Sequence, residues 1–299
     1  MKYLITAILL LALSVGCASA KVNIVATTND MADVAKAIGG NRVNVVSLVA
    51  GTQDPHVIEP RPSQVVHLRR ADMIIRVGMD LDLWADALID ASRNSKIARG
   101  SRGYVDASRR VRKLEVPTGR VDGSMGDVHA FGNPHYHLDP LNMKIVAQDV
   151  LAAMKRVSPN DADFFQRNHD AFAARIDRMI PEWRSRMAPL RGRKIVTYHK
   201  NWSYLFNRFG ISLFDTIEPK PGISPSPAHV RGLVNRMKRD NVNSVMVASY
   251  FPRRFPDMIA RETNAKVVAL PMSVGAVRGA DDYFKLMDII TRTMSEGLR

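Results

Sequence analysis

Apolar and polar positions along the chain alternate between two patterns: short, nearly continuous apolar runs and longer stretches with apolar residues at helical spacing. Residues 22–27 are a short apolar run that predicts a strand. Asn29 or Asp30 then offers a helix cap, with Met31, Val34 and Ile38 on one face and Gly39-Gly40 as the stop. Strands are predicted at 43–49 and 73–77, with a helix from a Ser63 cap to Ala71 between them and another at 81–91. The second half repeats the order. Strands are predicted at 195–198, 211–217, 242–248 and 266–270, and helices at 202–209, 226–240, 256–263 and 281–294. Strand-helix-strand order of this kind predicts parallel sheets covered by helices.

The segment between the halves reads differently. Residues 142–156 predict a helix. Ser158-Pro159 then opens a second one, with Phe165, His169, Phe172, Ile176 and Ile180 at helical spacing, running to Met187 with a kink or short break at Pro181. Nearly thirty helical residues would reach about 40 Å. That length suits a rigid brace rather than a hinge. The expected fold class is therefore α/β, with two lobes, each a mainly parallel sheet flanked by helices, joined by a long rigid helix. The expected boundaries are an N-terminal lobe at 21–157, a linking helix at 158–190 and a C-terminal lobe at 191–299.

The first twenty residues are set apart. Lys2, an apolar run at 4–15 and Ala18-Ser19-Ala20 have the form of a secretory signal peptide, cleaved after Ala20. Export to the periplasm follows as the expectation. Cys17 is the only cysteine of the 299 residues and lies within this segment, so the mature chain carries no thiol and no thiolate metal site. The alternative is a lipid anchor on Cys17, although Ser14 stands where a bacterial lipobox usually has leucine. The net charge of +14 would ordinarily suggest nucleic acid. Export and scattered arginine pairs, without interleaved stacking aromatics, argue instead for a basic solvated surface.

Histidine carries the candidate chemistry. His56 follows a predicted strand in Gly51-Thr-Gln-Asp-Pro-His56; His135 and His137 lie in Asn133-Pro-His135-Tyr-His137-Leu-Asp139-Pro; His199 ends a strand in Thr197-Tyr-His199. Ligands of parallel sheets bind at the carboxyl ends of strands, and neutral imidazole suits zinc, manganese or copper. Each histidine alone reads as an ordinary polar residue; the combination points to a metal. His67 and His169 read as surface or packing residues, His229 as a capping or packing residue, and His129 as a solvent-exposed loop residue, with an auxiliary ligand as its alternative. His135-x-His137-x-Asp139 also fits a zinc-dependent hydrolase, but Pro140 stands where that pattern usually continues with histidine. No adhesive repeat, phosphate loop or serine-hydrolase elbow is present.

Several of these pieces together resemble the solute-binding receptors of zinc and manganese ABC importers. They are Asp54-Pro-His56 with Glu59-Pro-Arg-Pro-Ser63, Asn133-Pro-His135 with Leu138-Asp-Pro140, Tyr198-His199, and Pro219-Lys-Pro-Gly-Ile-Ser-Pro-Ser226 leading to His229. The resemblance covers nearly all of 21–298. It implies two lobes with a metal between them, the ligands carried over onto His56, His135 and His199, and no enzymatic activity. It also implies delivery of the ion to the importer permease, with a metallochaperone as a possible further partner and the chain acting as a monomer. Three departures stand out. Many members have tryptophan at the position of His137. Many have an aspartate ligand where this chain reads Leu270-Pro-Met-Ser273. The long histidine-rich loop of some zinc members is missing. The fourth coordination position is therefore expected to go to water or an exchangeable anion, with His137 as the alternative. Three imidazoles favour zinc as the bound ion over manganese, which prefers carboxylate oxygen.

Overall fold

A computed structural model of the protein describes residues 20–122 and 125–298. The expected signal peptide and Cys17 lie outside the described residues. Eight short strands form two four-stranded sheets, parallel throughout. In the first, β1 (Val22–Ala26), β2 (Val43–Ser47), β3 (Met73–Arg76) and β4 (Tyr104–Asp106) are ordered β2-β1-β3-β4; in the second, β5 (Lys194–Thr197), β6 (Ser212–Thr216), β7 (Ser244–Ala248) and β8 (Lys266–Leu270) are ordered β6-β5-β7-β8. The two halves thus repeat one topology. The three-residue β4 was not foreseen, because it is too short to show a periodic pattern.

The first sheet is joined by helices α1 (Asn29–Gly39), α2 (Pro62–Arg69) and α3 (Trp84–Ser92). Helices α4 (Pro140–Val157) and α5 (Ala162–Met187) connect the lobes; α6 (Ser203–Phe209), α7 (Pro227–Arg239), α8 (Arg254–Thr263) and α9 (Tyr283–Gly297) belong to the second half. The expected Ser63 cap is displaced. Helix α2 begins with Pro62 after Arg61, whose backbone N–H is met by Gln64 at 2.8 Å. Proline at the first helical position loses nothing, since that N–H has no partner within the helix. Helix α5 runs without interruption through Pro181 for 26 residues, about 39 Å. The break expected at that proline does not occur.

The central strands β1, β3, β5 and β7 are buried on both faces, and alternate residues feed different cores. Val25 and Ile74 face outward to Leu68 of α2 and Leu88 of α3. Ile24, Met73 and Ile75 face inward, to a cluster holding Met31 of α1, Val146 of α4, Phe165 and Ile176 of α5, and Ile290 of α9. Ile195, Met246 and Leu270 of the second sheet enter that same cluster, while Val196, Val245 and Val247 face α7 and α8. The two lobes are therefore fused through one apolar interior. Wide hinging would expose it at about 25 cal/mol for each Å² uncovered.

Polar groups tie the same interior. Asp82, fully buried, accepts from Thr27 Oγ1 (2.6 Å), Val77 N (2.7 Å) and the Arg76 guanidinium (3.1 Å), locking together the carboxyl ends of β1 and β3. Asp33 of α1 accepts from Tyr283 N at 2.9 Å and so caps α9 from outside that helix. Burial raises the Asp33 carboxyl to about 6, assisted by Asp282 and Asp30 and opposed by the Tyr283 hydrogen bond and Lys36. A carboxyl raised in the folded state contributes stability below the unfolded value near 4, and that contribution is lost as pH rises through about 6. Asp33→Asn keeps an acceptor for Tyr283 without the charge. It is expected to stabilise the protein at pH 7.5 by on the order of 2 kcal/mol and to be nearly neutral at pH 4. Denaturant unfolding at the two pH values checks this; the same change at both would contradict the charge argument.

Candidate metal centre

The carboxyl edges of the two sheets face each other, and four loops from those edges converge. His56 lies beyond β2 in a turn made by its own neighbour. Asp54 Oδ1 accepts from His56 N at 3.0 Å and lies 2.7 Å from His56 Nδ1. Trp84 Nε1 donates to Pro55 O at 3.0 Å and fixes this turn to the start of α3. His199 follows β5, and Glu218 follows the adjacent strand β6. Parallel pairing therefore sets the Glu218 carboxylate 2.8 Å from His199 Nδ1, both side chains almost fully buried.

His135 arrives from the connection between the lobes. Asn133 Oδ1 accepts from His135 N at 3.0 Å, and Asn133 Nδ2 donates to Lys200 O at 2.6 Å. One asparagine thus pins the His135 turn to the loop carrying His199. Tyr204 of α6 donates through its hydroxyl to Asn133 O at 2.9 Å, and Tyr136, fully buried, donates to Val77 O at 2.7 Å. The His135 turn is held from both lobes.

The three imidazoles meet with ring centroids 5.1 to 5.6 Å apart. One ring nitrogen from each lies within 4.8 Å of the others. Among the described residues this is the one group of three or more histidine, cysteine or acidic ligand atoms so close together. A carboxylate can only accept, so Asp54 and Glu218 place the proton on Nδ1 of His56 and of His199 and leave Nε2 as a lone pair. The Nε2 atoms of His56 and His135 are buried without a hydrogen-bond partner. Desolvation, followed by the neighbouring imidazoles, holds His135 well below its usual range, which keeps it neutral at pH 7. Burial would raise the Asp54 carboxyl, but its hydrogen bonds from the His56 ring and backbone hold it low. This is the chemistry of a soft-to-borderline cation site: neutral nitrogen donors, proton positions fixed from behind, and no thiol.

Other histidines divide as follows. His137 is buried, but its Nε2 donates to Met272 O at 2.8 Å, so that nitrogen is committed. His67 is exposed on α2, and His169 packs within α5 beside Asp170 at 2.9 Å. His229 N donates to the Ser226 cap, and its Nε2 meets Thr216 O at 3.3 Å. His129 corrects the reading as solvent-exposed: its Nε2 is buried and its ring lies 5.3 Å from that of His56. Asp139 points away from the imidazoles. It caps α4 through Leu141 N at 3.0 Å and takes Arg208 in a two-pronged pair, both contacts 2.7 Å. Its oxygens are spent on structure, which removes the carboxylate that a hydrolase would need. The loop after β8 is also committed, because Asp30 accepts from Val274 N at 3.0 Å and from Ser273 Oγ.

The model of the family described as ZnuA, zinc-uptake complex component A, periplasmic, matches residues 24–297. The chain belongs to that family. Its members are substrate-binding receptors of ABC transporters rather than enzymes, and the chain is a metal-binding receptor of an ABC importer. It is 23% identical to the metal ABC transporter substrate-binding lipoprotein SloC of Streptococcus mutans over 94% of this chain and 91% of that one. It is likewise 23% identical to the manganese ABC transporter substrate-binding lipoprotein PsaA of Streptococcus pneumoniae, over 93% and 89%. Among solved structures, a ZnuA crystal structure superposes with a TM-score of 0.77 at 22% identity, covering 93% of this chain and 99% of that one. FpvC from Pseudomonas aeruginosa in complex with Mn2+ also gives 0.77 at 22%, over 93% and 98%.

The two orienting carboxylates, Asp54 and Glu218, were not singled out from the sequence. Asp54 had a signal, its position two residues before His56; Glu218 had none until strand pairing set β6 beside β5. Loss of a partner behind a ligating imidazole typically costs 10–100-fold in metal affinity. Glu218→Ala should weaken metal binding by about that factor, and Glu218→Gln, which keeps an acceptor, by less. Chelator competition reads both; an unchanged Glu218→Ala affinity would contradict the orienting role.

Proposed function

We propose that this receptor captures one divalent transition metal between its lobes through Nε2 of His56, His135 and His199, prefers zinc to manganese, and passes the ion unchanged to the permease of its importer. The observation that supports the preference is the donor set: three buried imidazoles with no carboxylate oxygen among the converging atoms. Manganese favours oxygen donors, whereas zinc accepts nitrogen readily. The manganese named for PsaA and bound in FpvC makes selectivity a matter for this chain's own ligands. The shared interior limits lobe movement to small shear, so release depends on the permease loosening the loops more than on wide opening.

The receptor acts as a monomer outside the cytoplasm, in the periplasm, with residues 1–20 as its export signal and a metallochaperone as an additional metal source. No helix among the described residues is long and apolar enough to cross a membrane. The relatives named as lipoproteins make an anchor on Cys17 the competing form, and the mass of the exported protein separates cleavage after Ala20 from lipidation.

Competition against a graded chelator should give one zinc per chain with zinc held well above manganese. Alanine at His56, His135 or His199 should cost more than the 10–100-fold typical of an outer partner. Full zinc affinity in the triple alanine variant would overturn the site, and equal affinity for manganese would overturn the preference.

A further inference from the structure

Three imidazoles leave a tetrahedral zinc one ligand short. Water or an exchangeable anion is the expectation from the sequence for the fourth, with His137 as the alternative. His137 Nε2 is bonded to Met272 O, and the loop after β8 is clasped by Asp30, its own acids Asp281 and Asp282 being engaged by Lys285 at the start of α9. A different residue stands at the open side. His129 belongs to the stretch 126–130, which straps across the mouth of the site. On one side Ala130 N donates to the Asp80 carboxylate and the His129 ring bonds to the Met79 backbone, both in the loop after β3. On the other, Asp127 N donates to Pro221 O at 2.9 Å in the loop after β6.

Glycine makes that second junction possible. Gly126 has φ +72°, and a Cβ there would lie 2.1 Å from Pro221 O; Gly222 has φ +73°, and a Cβ there would lie 2.2 Å from the Asp127 carboxylate. Each loop therefore needs glycine where the other presses on it. Gly222 N in turn donates to Glu218 Oε2 at 3.1 Å, the same oxygen that orients His199. Strap and site are built as one unit.

A backbone carbonyl can only accept, so the bond to Met79 fixes the His129 proton on Nδ1 and leaves Nε2 as a lone pair. That Nε2 is buried without a partner, as are the Nε2 atoms of His56 and His135. Leaving a buried polar atom unmet costs stability, and a bound cation would offset that cost. Together with the metal-receptor reading above, on which it rests, the geometry points to His129 as the fourth protein ligand, supplied by the strap and completing an all-imidazole site. In the structure its ligand atom falls outside the mutual 4.8 Å set, beside His56. Zinc–nitrogen bonds of about 2.0–2.1 Å set tetrahedral nitrogens about 3.3 Å apart, so the four rings draw inward on binding. An all-imidazole site sharpens the bias against manganese and couples capture to strap position, since no other described ligand bridges the loops after β3 and β6 from outside the sheets.

X-ray absorption on the zinc-loaded full chain tests this, with His129→Ala, His137→Ala and the exposed His67→Ala as parallel variants. Four imidazoles are expected in the wild type, in His137→Ala and in His67→Ala, and three plus one oxygen in His129→Ala, with zinc held at least about tenfold more weakly. Three imidazoles and an oxygen in the wild type, or four retained in His129→Ala, would overturn the assignment while leaving the metal-receptor reading intact. A wild-type chain that binds no zinc would remove both.

Discussion

A cluster of lone-pair nitrogens sealed from water is costly unless something else on the protein holds it in place, and the architecture around the site follows from that constraint. The Nε2 atoms of His56, His129 and His135 are buried with no partner, an arrangement that a bound cation would offset. Each ring is therefore controlled from its other side or from its backbone: Asp54 behind His56, Glu218 behind His199, Asn133 beneath His135. Desolvation holds two of the rings neutral, with His129 lowered to about 3 and His135 also held down. A site built this way is ready for a cation before the cation arrives.

The fold supplies the rigidity that this demands. Two sheets of the same strand order present their carboxyl edges to each other, and their inward faces share one core with α1, α4, α5 and α9. The polar clasps lie at that junction: Asp30 on Ser273 and Val274, Asn29 Nδ2 on Val274 O at 2.9 Å, His137 on Met272 O, and Arg208 on Asp139. Several of these residues look like ligands or catalytic groups when read in sequence. Their work is to keep two half-sites in register across the lobe boundary.

The strand and helix order was legible because the central strands are nearly continuous apolar runs and most helices carry one apolar stripe. The long brace was legible from Phe165, Phe172 and Ile176, and three of the converging imidazoles from the motifs that carry the family resemblance. What the sequence could not convey depends on pairing at a distance. Glu218 matters because β6 lies beside β5, and Asp139 is withdrawn because Arg208 reaches it from another lobe. His129 read as a water-facing loop residue first and an auxiliary ligand second, since nothing local shows that its loop is tied to both Met79 and Pro221. The continuity of α5 through Pro181 reflects tertiary packing overriding a local preference.

The most direct test of the account is anomalous diffraction at the zinc edge from crystals of the loaded protein. The account predicts one strong peak between the lobes, about 2.0–2.1 Å from Nε2 of His56, His135 and His199. A zinc peak elsewhere, with those three nitrogens still apart and unliganded, would contradict it.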